Sequence, residues 1–324
     1  MLQLAQAVQE LIENTPYAGG VLSFAMHMAG DSMAAEQVAQ SAIRKGFDDP
    51  WTIHAVAHAL SSQGRAHECA LWLEQHRAKS SNCNAFMKGH MEFHLALCFI
   101  DTCDQAKLDT LIATNLWGTM SKDMKAEYWN AAALLNVLWK AEIHNVKLLS
   151  TQKSSDCIEE ALQNVTDALS GAANKSKSLV FSLCIFRYTE GSQRDEWNKE
   201  LIIISPNDES ESDETQKVLS ALASAISIVY HHGGGDANDN DKWEKAAKLI
   251  APVADKLETL GASPEQREVL EDFVGLVGMM EGNLNRKKSK NENENTDGSI
   301  DLQAWYNRNQ RPNVSFYERI MAGK

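Results

Sequence analysis

The chain has 324 residues, of which 44% are hydrophobic, and this is enough for either two ordinary domains or one elongated repeat array. Its 31 lysines and arginines against 44 aspartates and glutamates give a formal net charge of −13, which argues against nucleic-acid or anionic-membrane partners. No apolar run reaches the roughly 20 residues of a membrane span, and the six cysteines show no Cys-x-x-Cys spacing, so we predict a cytoplasmic protein with reduced thiols.

The N-terminal residues 2–13 predict an amphipathic helix. Apolar side chains recur at helical spacing, and no basic stretch precedes an apolar core as it does in a secretory signal. We expect this helix to cover the apolar face of the first helical pair, because the uncovered end of a repeat array exposes hydrophobic surface.

A period of 34 residues follows this helix. Shifting the chain by 34 residues aligns Pro16 with Pro50 and Gly30 with Gly64. Proline is favourable in the first turn of a helix, and glycine allows a tight turn. We therefore predict that each unit consists of two helices joined at the glycine. A third, looser unit has Cys103 where the glycine would stand. This spacing is that of tetratricopeptide repeats, and it predicts an all-α, tetratricopeptide-like helical-hairpin solenoid.

Beyond these units the composition changes. The acidic stretch 205–216 and the glycine-rich stretch 231–241 predict loops, each next to a helix. We therefore predict a tetratricopeptide-like repeat region at 1–200, loops with a connecting helix at 201–240, and a C-terminal helical region of the same array at 241–324, with a flexible insertion near 285–299.

Two pairs of histidines are the candidate functional residues. His54 and His58 lie four residues apart, as do His90 and His94, and this spacing places each pair on one face of a helix. The first helix of each tetratricopeptide unit lines the concave groove of the array. We therefore expect both pairs, together with Trp51, to lie in that groove on neighbouring helices.

The two pairs allow two interpretations. Paired helical histidines are a familiar way to hold zinc or another first-row metal. Against this, the sequence has no His-Glu-x-x-His motif, and Glu92 falls on another face of the helix that carries the second pair. The alternative is that the histidines hydrogen-bond between helices and order the groove. The two interpretations differ in whether the four rings converge on a common point about 2.1 Å from each, or point apart.

Four segments together resemble the tetratricopeptide repeat protein 38 family. They are "DPWTIHAVAHALSSQGRAHECALWLEQH", "HMEFHLALCFIDTCD", "EKAAKLIAPVADKLETLGASPEQREVLED" and "NQRPNVSFYERI". The resemblance implies an all-α, tetratricopeptide-like array and no well-established activity. Compared with the family, the chain is expected to be an N-terminally shortened member, and Pro264 and Glu265 replace the histidine and small residue that are usual there.

These observations predict an interaction module rather than an enzyme. It would bind a peptide or partner protein in the groove through Trp51, His54, His58, His90 and His94. This interpretation includes no cofactor, and neither nucleic acid nor membrane is an expected partner. The alternative is a metal-binding protein or metal-dependent enzyme in which His54, His58, His90 and His94 hold zinc or another first-row metal.

Overall fold

The structure of the chain is a computed structural model. It describes residues 17–80, 83–116, 133–138, 213–230, 239–260 and 269–278, together with isolated positions outside these ranges. Within these residues the backbone forms helices and turns and no strand, so the predicted all-α class is confirmed. The parts of the predicted loops at 205–212 and 231–238, and the predicted insertion at 285–299, lie outside the described residues.

The chain divides into two compact units, one of residues 1–161 with 311–324 and one of residues 162–310. In the first unit the described helices are α1 (Ala18–Met28), α2 (Ser32–Arg44), α3 (Pro50–Ser62), α4 (Ala66–Ser80), α5 (Ala85–Asp101) and α6 (Gln105–Leu111), which continues into a π-helical turn over Ile112–Leu116. Each of these helices packs against the next, and α3 also packs against both α1 and α5. The helices α1–α2, α3–α4 and α5–α6 therefore form successive hairpins.

The turn inside each hairpin has the same backbone conformation. Gly30, Gly64 and Cys103 have φ angles of 92°, 71° and 57°, in the left-handed region that favours glycine. In all three turns the N–H of the following residue donates to the carbonyl five positions back, at 3.1, 3.1 and 2.8 Å. This bond satisfies a carbonyl that the helix end leaves without a partner. The structure thus gives Cys103 the backbone conformation of the two glycines with which it aligns.

The start of α3 is fixed by residues of the "DPWT" stretch. Asp49 Oδ1 accepts a hydrogen bond from the backbone N–H of Thr52 at 3.0 Å, and Asp49 Oδ2 accepts from the Thr52 hydroxyl at 2.6 Å. Pro50 occupies the first helical position, where its missing N–H costs nothing. The second carboxylate oxygen also accepts from the backbone N–H of Tyr17 at 3.2 Å. One aspartate therefore sets where α3 begins and ties it to the start of α1.

The N-terminal segment contacts the first hairpin. Leu2 packs against a buried cluster formed by Leu22 and Ala25 of α1. This is the face that the predicted N-terminal helix was expected to cover. The contact removes apolar surface of α1 from water, which stabilises the end of the hairpin series.

In the second unit, α7 (Asp213–Tyr230) packs against α8 (Asp239–Ile250) and against a 3₁₀ segment over Ala251–Leu260. Helix α7 includes the last four residues of the stretch 205–216, which was predicted to be a loop. Asp213 and Glu214 explain the earlier start, because acidic residues are favourable at a helix N-terminus. Helix α8 ends at Ile250, and the backbone continues in 3₁₀ geometry beside Pro252, which has no N–H to donate. None of the helices in the described part of the chain combines the length and apolar character needed to cross a bilayer.

Candidate metal centre

Helices α3 and α5 bring the two histidine pairs together. His54 and His58 on α3 face His90 and His94 on α5, with ring centroids 4.8 Å apart for His54 and His90 and 4.4 Å apart for His58 and His94. The relative exposures are 2%, 0%, 6% and 2% in chain order. Four imidazoles thus share one buried site, which we call the tetrad.

The tetrad is close to the size of a metal coordination shell. One ring nitrogen from each of the four histidines lies within 4.8 Å of the other three. Four nitrogens bound to a tetrahedral zinc ion at 2.0–2.1 Å would be roughly 3.3 Å apart. Each nitrogen would therefore need to move by about 1 Å to reach a common ion, which small side-chain torsions supply. The Nε2 atoms of His90 and His94 are already 3.2 Å apart.

A hydrogen bond from outside the tetrad fixes the tautomer of His90. The Nδ1 of His90 lies 3.1 Å from Oδ1 of Asn130, which is buried. An amide oxygen only accepts, so Nδ1 of His90 carries the proton and its Nε2 carries a lone pair. Without a metal, Nε2–H of His94 donates to that lone pair. Asn130 thus orients one ligand nitrogen towards the centre, as the hydrogen-bond partners of metal-binding histidines do.

His54 has no such arrangement. In the part of the chain that the structure describes, both of its ring nitrogens are buried and neither has a hydrogen-bond partner. Burial lowers the pKa of His54 well below its ordinary value of 6.5. Electrostatic repulsion from the neighbouring imidazoles lowers this pKa further; in decreasing order of effect they are His58, His90, His94 and His27. The ring is therefore neutral near pH 7, and it presents a buried lone pair to the tetrad.

Aromatic and apolar side chains surround the tetrad. Trp51 is half-buried, and its ring centroid lies 5.2 Å from that of His54. Phe24 of α1 lies against His58, with ring centroids 5.2 Å apart, and Phe86 stacks on His90 at 5.7 Å. An apolar surrounding strengthens the attraction between a cation and its ligands, although it penalises an unbalanced charge.

Glu92, the buried carboxylate between His90 and His94 in sequence, is used elsewhere. Both oxygens of Glu92 accept hydrogen bonds from the guanidinium of Arg77 on α4, at 2.9 and 2.8 Å. This pairing agrees with the expectation that Glu92 does not share a face with His90 and His94. A metal ion in the tetrad would therefore have four neutral nitrogen ligands, which is a donor set suited to zinc, copper, nickel and iron.

Sequence reasoning missed two residues of this site. Asn130 gives no local signal, because it reaches His90 across 40 residues. His27 of α1 lies beside His58, with ring centroids 5.1 Å apart. A clue to it was available, because the 34-residue shift aligns Phe24 with His58 and places His27 one helical turn further along the same face.

No family model, curated protein or solved structure matches the chain. The resemblance to the tetratricopeptide repeat protein 38 family therefore rests on the quoted motifs alone.

Proposed function

We propose that this protein binds one divalent first-row transition metal ion, zinc by preference, in the tetrad. The supporting observation is the convergence of four buried ring nitrogens to within 4.8 Å of one another. The two unsatisfied nitrogens of His54 add to it, because burying a polar group without a partner is costly unless a ligand satisfies it.

The proposed role of the ion is structural. Four protein ligands fill a tetrahedral shell, whereas catalytic zinc sites keep one position for water or substrate. The ion would link α3 of the second hairpin to α5 of the third. It would close the stretch of chain between His54 and His94 into a loop. An ion that binds the folded protein and leaves the unfolded chain stabilises the folded state by its binding free energy. The proposal therefore includes no reaction.

Elemental analysis and a Co²⁺ titration test the proposal. Protein purified without an affinity tag is analysed for first-row metals, and the metal-free protein is titrated with Co²⁺, whose absorption intensifies in tetrahedral sites. We expect one ion per chain in the wild type. We expect weak or no binding in His54→Gln, which keeps a polar side chain of similar length but removes the imidazole.

The matched control is His76→Gln. His76 is also buried and helical, but its ring lies against that of Trp72, with ring centroids 4.0 Å apart, and it is outside the tetrad. This variant should bind Co²⁺ as the wild type does. The proposal fails if the wild type takes up no ion, or if the double variant His54→Gln/His90→Gln binds as well as the wild type.

We also infer that the hairpins belong to a tetratricopeptide-like array. The sequential packing of α1–α6 and the similar turns at Gly30, Gly64 and Cys103 support this inference. Binding of a peptide or partner protein in a groove stays a prediction. The geometry favours it less than metal binding, because the tetrad supplies four of its five proposed contact residues and all four are buried.

A further inference from the structure

His27 occupies a position between the tetrad and the protein surface. Its imidazole is buried and adjoins His58, with ring centroids 5.1 Å apart. On the other side, Nδ1 of His27 lies 3.3 Å from the hydroxyl of Ser32 and 3.5 Å from that of Ser62. Both serines are half-buried. Accessibility therefore increases stepwise from His58 through His27 to the two hydroxyls.

Two helix C-terminal ends meet at this edge of the hairpins, and their dipoles favour a cation. His27 lies in the last turn of α1, and Ser62 is the last residue of α3. The aligned peptide dipoles give the C-terminal end of a helix a partial negative charge, which favours a nearby cation. The two serine oxygens are hard ligands that suit a hydrated ion, whereas the tetrad offers only imidazole nitrogen.

We propose that His27 is the loading ligand of the tetrad: it binds an incoming divalent first-row ion and passes it to His58. This inference rests on the proposed metal-binding function and extends it to the route of exchange. At each step one imidazole replaces one metal-bound water or one earlier ligand, and no electron is transferred. His27 lies outside the set of four nitrogens that meet within 4.8 Å, so it is not a ligand of the resident ion.

A transient ligand has a distinctive kinetic effect. A group that contacts the ion only during passage lowers the barrier in both directions, so removing it slows loading and release equally and leaves the affinity unchanged. A resident ligand behaves differently, because its removal weakens equilibrium binding.

The test measures both directions on the full chain. Metal-free protein is mixed rapidly with Co²⁺ to obtain the loading rate, and the loaded protein is mixed with excess chelator to obtain the extraction rate. We expect His27→Gln to slow both rates by about tenfold, with the equilibrium dissociation constant unchanged. His27→Cys, which restores a side chain that binds the same metals, should recover the loading rate. His76→Gln should match the wild type in both directions.

Three outcomes count against the inference. Wild-type rates in His27→Gln would overturn the loading role while leaving the metal centre intact. Weaker equilibrium binding in His27→Gln, with an unchanged loading rate, would make His27 a resident ligand. Equally slow loading in His27→Gln and His27→Cys would assign the effect to altered packing. A wild type that binds no Co²⁺ at all would instead refute the proposed function itself.

Discussion

Replacing His54 with leucine should change the stability of the protein in opposite directions with and without metal. Without metal, the His54 ring keeps two nitrogens away from water and gains no hydrogen bond for either in the described part of the chain. A buried polar group in this state costs about 1–3 kcal/mol. Leucine has a similar volume and no polar atom, so His54→Leu should raise the free energy of unfolding by about that amount in metal-free buffer.

With metal the order should reverse. An ion that binds only the folded state stabilises it by about 4.1 kcal/mol when its free concentration is about 1,000 times the dissociation constant, which exceeds the gain of about 1–3 kcal/mol expected for leucine. The wild type gains this stabilisation, whereas His54→Leu gains little of it because it lacks one of the four metal ligands. Urea unfolding followed by circular dichroism, once with a chelator and once with Zn²⁺, measures both values for each protein.

His90→Leu is the matched control. It removes a ligand from the same tetrad, but it also removes the hydrogen bonds to Asn130 Oδ1 and His94 Nε2. We therefore expect it to destabilise the metal-free protein by about 1–3 kcal/mol. If His54→Leu destabilises the metal-free protein as much as His90→Leu does, the reasoning about unsatisfied nitrogens is wrong.

Three further predictions concern acid, the hairpin turns and a buried ion pair. The pKa of His54 is lower in the folded than in the unfolded protein. The free energy of unfolding of the metal-free wild type should therefore fall by up to about 1.4 kcal/mol per pH unit as the pH drops below 6.5. Urea unfolding midpoints should show a smaller decrease in His54→Leu. Cys103→Gly should raise the melting temperature and Gly64→Ala should lower it, each by the equivalent of about 1 kcal/mol, because both turns need a positive φ. Arg77→Met should cost roughly 1–3 kcal/mol by leaving the carboxylate of Glu92 buried without its guanidinium, and adding Glu92→Leu should recover most of this loss in the same urea assay.

The hairpins and the position of the tetrad were accessible from the sequence because the signals are local. Proline and glycine mark where a helix begins and ends, and a spacing of four residues places His54 with His58 on one face. Once α3 and α5 are neighbours, the second pair must lie opposite the first. The family resemblance and the tetratricopeptide-like array remain predictions.

The contacts inside the site could not be predicted in the same way. One of the two interpretations has the histidines hydrogen-bonding between helices. His90 does so with Asn130, but its other hydrogen bond joins it to His94 on the same helix, and His54 has none in the described part of the chain. Which ring nitrogen finds a partner depends on side-chain torsions and on residues far away in sequence. Helical periodicity contains neither kind of information.

The hairpin turns determine which length changes this fold tolerates. Helix α5 has 17 residues and α3 has 13, so α5 is longer by about one helical turn, yet both helices end in the same turn geometry. An insertion before Phe86 would lengthen α5 at its start and leave the register of His90 and His94 to Cys103 unchanged. One residue inserted between His94 and Cys103 would rotate the pair by about 100° relative to the turn. Insertion scanning should therefore divide α5 into a permissive N-terminal end and a C-terminal stretch of fixed length.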